Sequence, residues 1–208
     1  LLLYILHRRA KDFNENAARM RVIYSTDPLT GLPALPKLLV RLQDAIRRAR
    51  RGDNQCALAL VDLSNHTDIV AAEGRLMGDR ALVVAASQLS AVVREVDTVC
   101  RVSDTRFALL IEAPFRSDKL PVLAQHIIAK GLAGAAPVPL HLAPRYRIVT
   151  LPLPDRSGSI PSDEETHVEK LVQRLHSALD RLDPKKMVLH LPPPAPGAAP
   201  ASTPATTA

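Results

Sequence analysis

The sequence predicts an α+β fold in which helices flank one central mixed sheet. Three observations lead to this prediction. Amphipathic helical patterns alternate with short apolar runs along most of the chain. The run at 57–61 is continuously apolar, which is typical of a central strand buried on both faces. A hydrophobic fraction of 47% in 208 residues is enough for the core of one domain. With 3% aromatic residues and no Trp, that core must consist of Leu, Val, Ala and Ile.

The first 25 residues predict a signalling helix next to a membrane. Residues 1–6 are all apolar and are followed at once by a basic segment. Six residues cannot span a bilayer, which needs about 20. They are therefore interpreted as the end of a transmembrane helix, the alternative being a soluble helix with an apolar start. The basic residues that follow indicate an inner-membrane protein whose domain faces the cytoplasm.

Residues 7–25 form the predicted linker, and within 5–24 apolar residues recur at alternating spacings of four and three. This pattern is the seam of a coiled coil, although Ala fills half of its positions. Two interpretations remain open. The helix either joins two copies of the chain in a parallel homodimer or packs on its own domain.

The elements of the domain follow in order from 26 to 191. Turn residues at 27–33 precede a helix from Pro36 to about Arg51. The strand at 57–61 ends at Asp62. A long helix is expected to open at Gly78 and Asp79, with Asp79 as its N-cap, and to run to about Val93. The later predicted elements are a hairpin of Thr98–Val102 and Phe107–Ile111, a helix at Lys119–Leu132, a strand at Tyr146–Leu153, a helix at Glu165–Leu182 and a strand at Met187–Leu191.

Three further features limit the possible functions. Cys56 and Cys100 lie in predicted strands without zinc-binding spacing, so both are expected to be buried, reduced thiols. The net charge of +6 comes largely from local basic clusters, which are expected to be solvated faces, and no nucleic-acid partner is predicted. The Pro- and Ala-rich segment 192–208 cannot bury enough apolar surface to fold and is predicted to be disordered.

Two motifs resemble a known family. The stretch Asp27-Pro28-Leu29-Thr30-Gly31-Leu32 matches the opening Asp-x-Leu-Thr-Gly-Leu of GGDEF domains. From Asp62 to Asp79 the chain follows, without a gap, the family pattern Asp-x-Asp-x-Phe-Lys-x-Ile-Asn-Asp-x-x-Gly-His-x-x-Gly-Asp. Asp62, Gly74, Gly78 and Asp79 are kept. The resemblance covers about 26–191 and implies the nucleotidyl-cyclase-like fold of diguanylate cyclases.

The turn that gives the family its name is rewritten in this chain. It falls on 103–107, where only Phe107 matches. Ser103 and Asp104 replace two glycines, and Thr105 and Arg106 replace acidic residues. The resemblance implies that Asp62 matches the first magnesium ligand and that Arg106 stands in place of the second, where a guanidinium would repel the metal.

Other positions of the pattern have also changed. Val70 replaces the Asn that reads guanine, Asp183 replaces a phosphate-binding Lys, and Asp79 matches a guanine contact. His66 has no partner at metal-binding spacing and is expected at the surface. We therefore expect that the protein is not an enzyme and needs no magnesium or other cofactor. Its vestigial active site is expected to consist of Asp62, Asp79, Ser103, Asp104, Thr105, Arg106 and Phe107.

Arg94 and Asp97 form an Arg-x-x-Asp pattern that ends five residues before this turn. The four-residue pattern also occurs at Arg41/Asp44, Arg50/Asp53 and Arg101/Asp104, but only at Arg94/Asp97 does it have the spacing of the family's inhibitory site. The resemblance implies that cyclic di-GMP binds there. A guanidinium fork suits phosphate oxygens, and a carboxylate can accept from guanine. The alternative is that Arg94 pairs with Asp97 and does nothing else.

The expected function is that of a membrane-tethered, catalytically inactive receptor for cyclic di-GMP in bacterial signalling, acting on an unidentified effector protein. A nucleotide-free dimerisation or interaction module is the alternative, and a residual diguanylate cyclase is a third interpretation. A second arginine for the ligand is not identified by sequence, and Arg116 and Lys130 are candidates.

Overall fold

The computed structural model describes residues 26–52, 55–112, 116–132, 143–153 and 164–193. The predicted membrane segment 1–6, the helix at 5–24 and nearly all of the predicted disordered tail lie outside these residues. Within the described ranges, no helix is both long and apolar enough to cross a membrane.

The described residues form a mixed sheet with helices on both sides. The helices are α1 (Leu35–Gly52), α2 (His66–Glu73), α3 (Arg75–Val92), α4 (Leu120–Leu132) and α5 (Glu164–Asp180). The strands are β1 (Ala57–Leu63), β2 (Thr98–Arg101), β3 (Arg106–Ile111), β4 (Tyr146–Pro152) and β5 (Val188–His190). Their order in the sheet is β2-β3-β1-β4-β5, and every pair is antiparallel except β4–β5. The predicted fold class is confirmed.

The sheet separates two apolar layers, and β1 is buried along its whole length between them. Side chains of a strand alternate between faces. Accordingly Ala57, Ala59, Val61 and Leu63 pack with α2, α3 and α4, whereas Leu58 and Leu60 pack with α1 and α5. By the same alternation Asp62 belongs to the face covered by α1 and α5, which decides its neighbours.

Two predictions for the segment after β1 were wrong. The chain forms α2, which was not predicted, and α3 begins at Arg75 rather than at Gly78. Asp79 is therefore the fifth residue of α3 and cannot be its N-cap, which is Gly74. Gly74 has a φ of 83°, a conformation that glycine adopts readily, and it turns the chain from α2 into α3.

Both cysteines are free and buried, as predicted. Burial raises the pKa of Cys56 and of Cys100 to about 12, because the apolar layer disfavours a thiolate. Neither thiol is therefore suited to nucleophilic chemistry.

Candidate functional site

A row of charged residues crosses the three central strands. Asp62 on β1 stands opposite Arg106 on β3 and opposite Arg147 on β4. Asp62 Oδ1 lies 3.8 Å from Arg106 Nε, and Asp62 Oδ2 lies 3.5 Å from Arg147 Nη2. The Asp62 side chain is only 12% exposed, so its charge is balanced inside the protein by two guanidinium groups.

Both arginines of this row also contact α5. Arg106 pairs with Asp180 and lies 2.9 Å from His176 Nδ1. Arg147 donates to the carbonyl of Leu179 near the end of α5. The Thr105 hydroxyl donates to Asp62 Oδ1 over 2.8 Å. The acidic strand-end residue is thus held by protein donors.

Electrostatics in this cluster disfavour a cation. Burial lowers the pKa of His176 below its ordinary 6.5, and the nearby Arg106 lowers it further, although Asp180 and Asp62 act in the opposite direction. Among the residues that the structure describes, no three His, Cys, Asp or Glu side chains are placed to hold a metal ion. A magnesium site needs several oxygen ligands, and here two guanidinium groups flank the Asp62 carboxylate.

The helices α2 and α3 meet at Val70 and Gly78, two positions of the family pattern. Gly78 on α3 is buried, and a Cβ built there would overlap Val70 Cγ2 and lie 3.0 Å from His66 Nε2. His66 is partly buried rather than exposed as predicted, and its Nε2 has no hydrogen-bond partner in the described structure. Val70 thus contributes an apolar side chain to the contact between the two helices.

The rewritten turn connects β2 to β3 and is tied to the start of the domain. Arg101 Nη1 lies 3.0 Å from both oxygens of Asp27, and Arg101 Nη2 donates to the Asp104 carbonyl. Ser103 and Asp104 are exposed, and Phe107 is fully buried. Burial alone would raise the pKa of Asp27, but hydrogen bonds from Thr30 and the pairing with Arg101 lower it below 3.8.

Arg94 and Asp97 form a closed ion pair just before β2. Arg94 Nε and Nη2 donate to the two Asp97 oxygens over 3.1 and 2.9 Å. The backbone N–H groups of Arg94 and Glu112 also donate to this carboxylate. Asp97 is 3% exposed whereas Arg94 is 45% exposed. With four donors on a buried carboxylate, Asp97 fixes the pose of Arg94, and a direct guanine contact would have to displace one of these donors.

Glu112 joins this pair to a second arginine. The Glu112 carbonyl accepts from Arg94 Nη2 over 2.6 Å, and its carboxylate pairs with Arg48 on α1. Sequence reasoning did not single out Arg48 or Glu112. The two basic residues that the sequence offered as candidates for the ligand have other contacts. Arg116 is 82% exposed and pairs with Asp118. Lys130 accepts a hydrogen bond from the Gln88 side chain through its backbone carbonyl.

A family model supplies the identification. The model described as "Diguanylate cyclase, GGDEF domain" matches residues 24–187. This chain belongs to the GGDEF family. The predicted family membership is thereby confirmed, and the sheet order and flanking helices described above are its fold.

Two curated relatives are similar to about half of this GGDEF chain. The diguanylate cyclase DgcP of Pseudomonas aeruginosa is 32% identical over 108 residues, which is 52% of this chain and 16% of DgcP. The bifunctional diguanylate cyclase/cyclic di-GMP phosphodiesterase MucR of the same species is 36% identical over 104 residues, 50% of this chain and 15% of MucR. The matches thus span only a small part of each relative.

A solved GGDEF structure agrees with the fold. The coiled coil and GGDEF domain of DgcB from Caulobacter crescentus, in complex with c-di-GMP, superposes with a TM-score of 0.64. The match covers 91% of this chain and 97% of that one at 16% identity, so it speaks for the fold alone.

Within this GGDEF domain, the structure brings together part of the predicted vestigial active site. Asp62, Thr105 and Arg106 meet on one face, whereas Asp79 lies on α3 in the layer on the other face. Arg147 was missed by sequence reasoning. The signal was a charged residue at the second position of strand β4, most of whose other residues are apolar, because charged residues are rarely enclosed in such strands unless they are paired.

Proposed function

We propose that this chain is a catalytically inactive GGDEF domain that binds cyclic di-GMP through Arg94 and thereby acts as a receptor. The observation that carries the proposal is the pose of Arg94. Its side chain is 45% exposed, while Asp97 and the Glu112 carbonyl hold the guanidinium in place. A guanidinium fixed before binding loses little conformational freedom when it engages a phosphate, which favours affinity.

Arg48 is the second basic group that we assign to the ligand. It reaches the Arg94 site from α1 through its pairing with Glu112, and its side chain is 54% exposed. Cyclic di-GMP carries two phosphates, so two separated arginines suit it better than one. Cyclic di-GMP is also the ligand in the solved structure of the DgcB coiled coil and GGDEF domain, which shares the fold of this chain.

Catalytic inactivity is supported by the charged row across the sheet. Magnesium-assisted phosphoryl transfer needs carboxylates on the metal, and here Arg106 and Arg147 flank Asp62. The apolar contact of Val70 with Gly78 also leaves no amide to read a guanine base at that position.

The setting of the receptor is also part of the proposal. We propose that residues 1–6 end a membrane helix, that residues 5–24 dimerise the chain on the cytoplasmic side, and that an effector protein reads the liganded domain. These proposals rest on the sequence pattern of the N-terminal segment.

Calorimetric titration of cyclic di-GMP into the full chain tests the receptor function. Arg94→Ala should abolish measurable binding, because a charge-assisted contact in a partly desolvated site is worth roughly 2–5 kcal/mol. Arg80→Ala is the matched control, since it removes an exposed arginine from α3, the helix before Arg94. Asp97→Ala should weaken binding by freeing Arg94 from its fixed pose.

A second pair of variants tests Arg48. Arg48→Ala should weaken binding, and Arg47→Ala should not, although both arginines are exposed neighbours on α1. Arg41 lies in the same Arg-x-x-Asp pattern as Arg94, but Arg41→Ala is a poorer control. Arg41 donates a hydrogen bond to the buried Thr98 side chain, so its removal would also disturb the fold next to Asp97.

The interaction-module function is the second candidate, and a specific observation favours it. The Asp97 carboxylate already accepts four protein donors, as a purely structural ion pair would. If wild-type protein gives no heat with cyclic di-GMP at high micromolar concentration, the receptor function fails and the interaction module replaces it.

A further inference from the structure

Glu112 occupies the centre of the proposed ligand site and contacts each of its charged residues. Its backbone N–H donates to Asp97 Oδ1 over 2.9 Å, and its carbonyl accepts from Arg94. Its side chain leaves the backbone in another direction and pairs with Arg48. The Glu112 side chain is 16% exposed, whereas Arg48 is 54% exposed, so the carboxylate is the enclosed member of the pair.

We propose that the Glu112 carboxylate is an internal anion that competes with the ligand's phosphate for Arg48 and so sets the affinity of the site. The proposal rests on the function proposed above. Carboxylate and phosphate oxygens accept from the same guanidinium fork. A phosphate that binds the Arg48 fork must take over the Nη2 donor that Glu112 now occupies, so binding includes the loss of that ion pair. This loss weakens the binding of an anion.

The contacts by which Glu112 orients Arg94 and Asp97 come from its backbone. The contacts to Asp97 and Arg94 use the N–H and C=O groups, which any residue at this position provides. The side chain pairs with Arg48, which is 54% exposed and is hydrated again when the pair is lost, so removing the pair should cost little stability. Glu112→Gln therefore removes the negative charge, keeps the shape and preserves the contacts that orient Arg94.

The decisive measurement is the affinity of the full chain for cyclic di-GMP by titration calorimetry. Glu112→Gln should bind about two- to fivefold more tightly than wild type, the range expected for releasing one partly exposed ion pair. The matched control is Glu95→Gln. Glu95 is an exposed carboxylate beside Arg94, so this change removes the same charge near the site without touching the Arg48 pair. It should shift the affinity less than twofold.

A double-mutant cycle shows whether the competition acts through Arg48. In an Arg48→Ala background, Glu112→Gln should no longer tighten binding, because the contested guanidinium is gone. A gain of the same size in both backgrounds, or the same gain from Glu95→Gln, would mean general electrostatics and would overturn the proposal. Equal melting temperatures of wild type and Glu112→Gln check that the fold is intact.

Failure of this inference and failure of the receptor function give different results. If wild type binds and Glu112→Gln binds no more tightly, the inference is wrong and the receptor function stands. If neither protein binds, both fail. If only Glu112→Gln binds cyclic di-GMP, and adding Arg94→Ala to that variant removes the binding, Glu112 competes strongly enough to prevent measurable binding in wild type. This result would support the inference.

Discussion

Arg106 and Asp62 face each other across the β1–β3 ladder, with Arg106 Nε 3.8 Å from Asp62 Oδ1. In this pair a guanidinium of the protein neutralises the carboxylate near the end of β1. Because Arg147 approaches Asp62 from the other side, the carboxylate is balanced without a metal ion.

We expect no diguanylate cyclase activity, and no recovery on restoring one acidic residue. Loss of a single transition-state contact costs about 10²–10³ in rate, and several are missing here. Arg106→Glu leaves Thr105, Arg147 and Val70 unchanged, so purified wild type and Arg106→Glu should both produce no cyclic di-GMP from GTP and magnesium by chromatography. Clear turnover by wild type would contradict the inactive site.

Arg106→Ala should destabilise the fold by about 2–4 kcal/mol, because it leaves Asp62 with one fewer cation in a site where both side chains are mostly buried. The free energy of unfolding in urea measures the loss. Arg181→Ala, an exposed arginine just after α5, is the control and should stay within about 0.5 kcal/mol of wild type. Equal effects of the two changes would refute the structural role of Arg106.

Stability should fall as the pH is lowered through 6.5, partly because of His176. Burial lowers the pKa of His176 in the folded chain, so the unfolded chain binds more protons in that range. The loss begins as pH drops through the unfolded pKa and ends below the folded one. Urea unfolding at pH 7.5 and 5.5 should show a smaller difference for His176→Gln than for wild type. His126→Gln, an exposed histidine on α4, should leave the difference unchanged.

A fragment that starts at Thr26 should be mostly monomeric, and the chain from Leu1 should be dimeric in detergent. The expectation follows from the alternating apolar spacing at 5–24, although its Ala-rich seam makes the association weak. Light scattering gives the two masses. The same mass for both proteins would exclude this helix as the dimer contact.

The sequence predicted the elements of the sheet well because their apolar runs are strong. The run around Ala57–Val61 became β1, and Thr98 and Phe107 lie in the two strands of the predicted hairpin. The short helix α2 was missed. Its apolar residues have no marked amphipathic pattern, only Ile69 is buried, and no side chain caps its start, so the usual signals are weak.

The site was less predictable than the fold because its partners are distant in sequence. Arg147 meets Asp62 and Glu112 meets Arg48 only after the strands pair and α1 packs beside them. Register and packing decide such contacts, and no local pattern encodes them. The positions of Arg94 and Asp97 could be predicted, but the enclosure of Asp97 by four donors could not.

The charged row of Arg106, Asp62 and Arg147 also restricts how the sheet can assemble. A slip of β3 by one residue would turn its side chains to the opposite face, so Phe107 would meet Asp62 and Arg106 would enter the apolar layer under α3 and α4. Burying an unpaired guanidinium there is costly. The row of three charged residues therefore acts as a register lock, and it discriminates against misaligned strands during folding in a way that an all-apolar row could not.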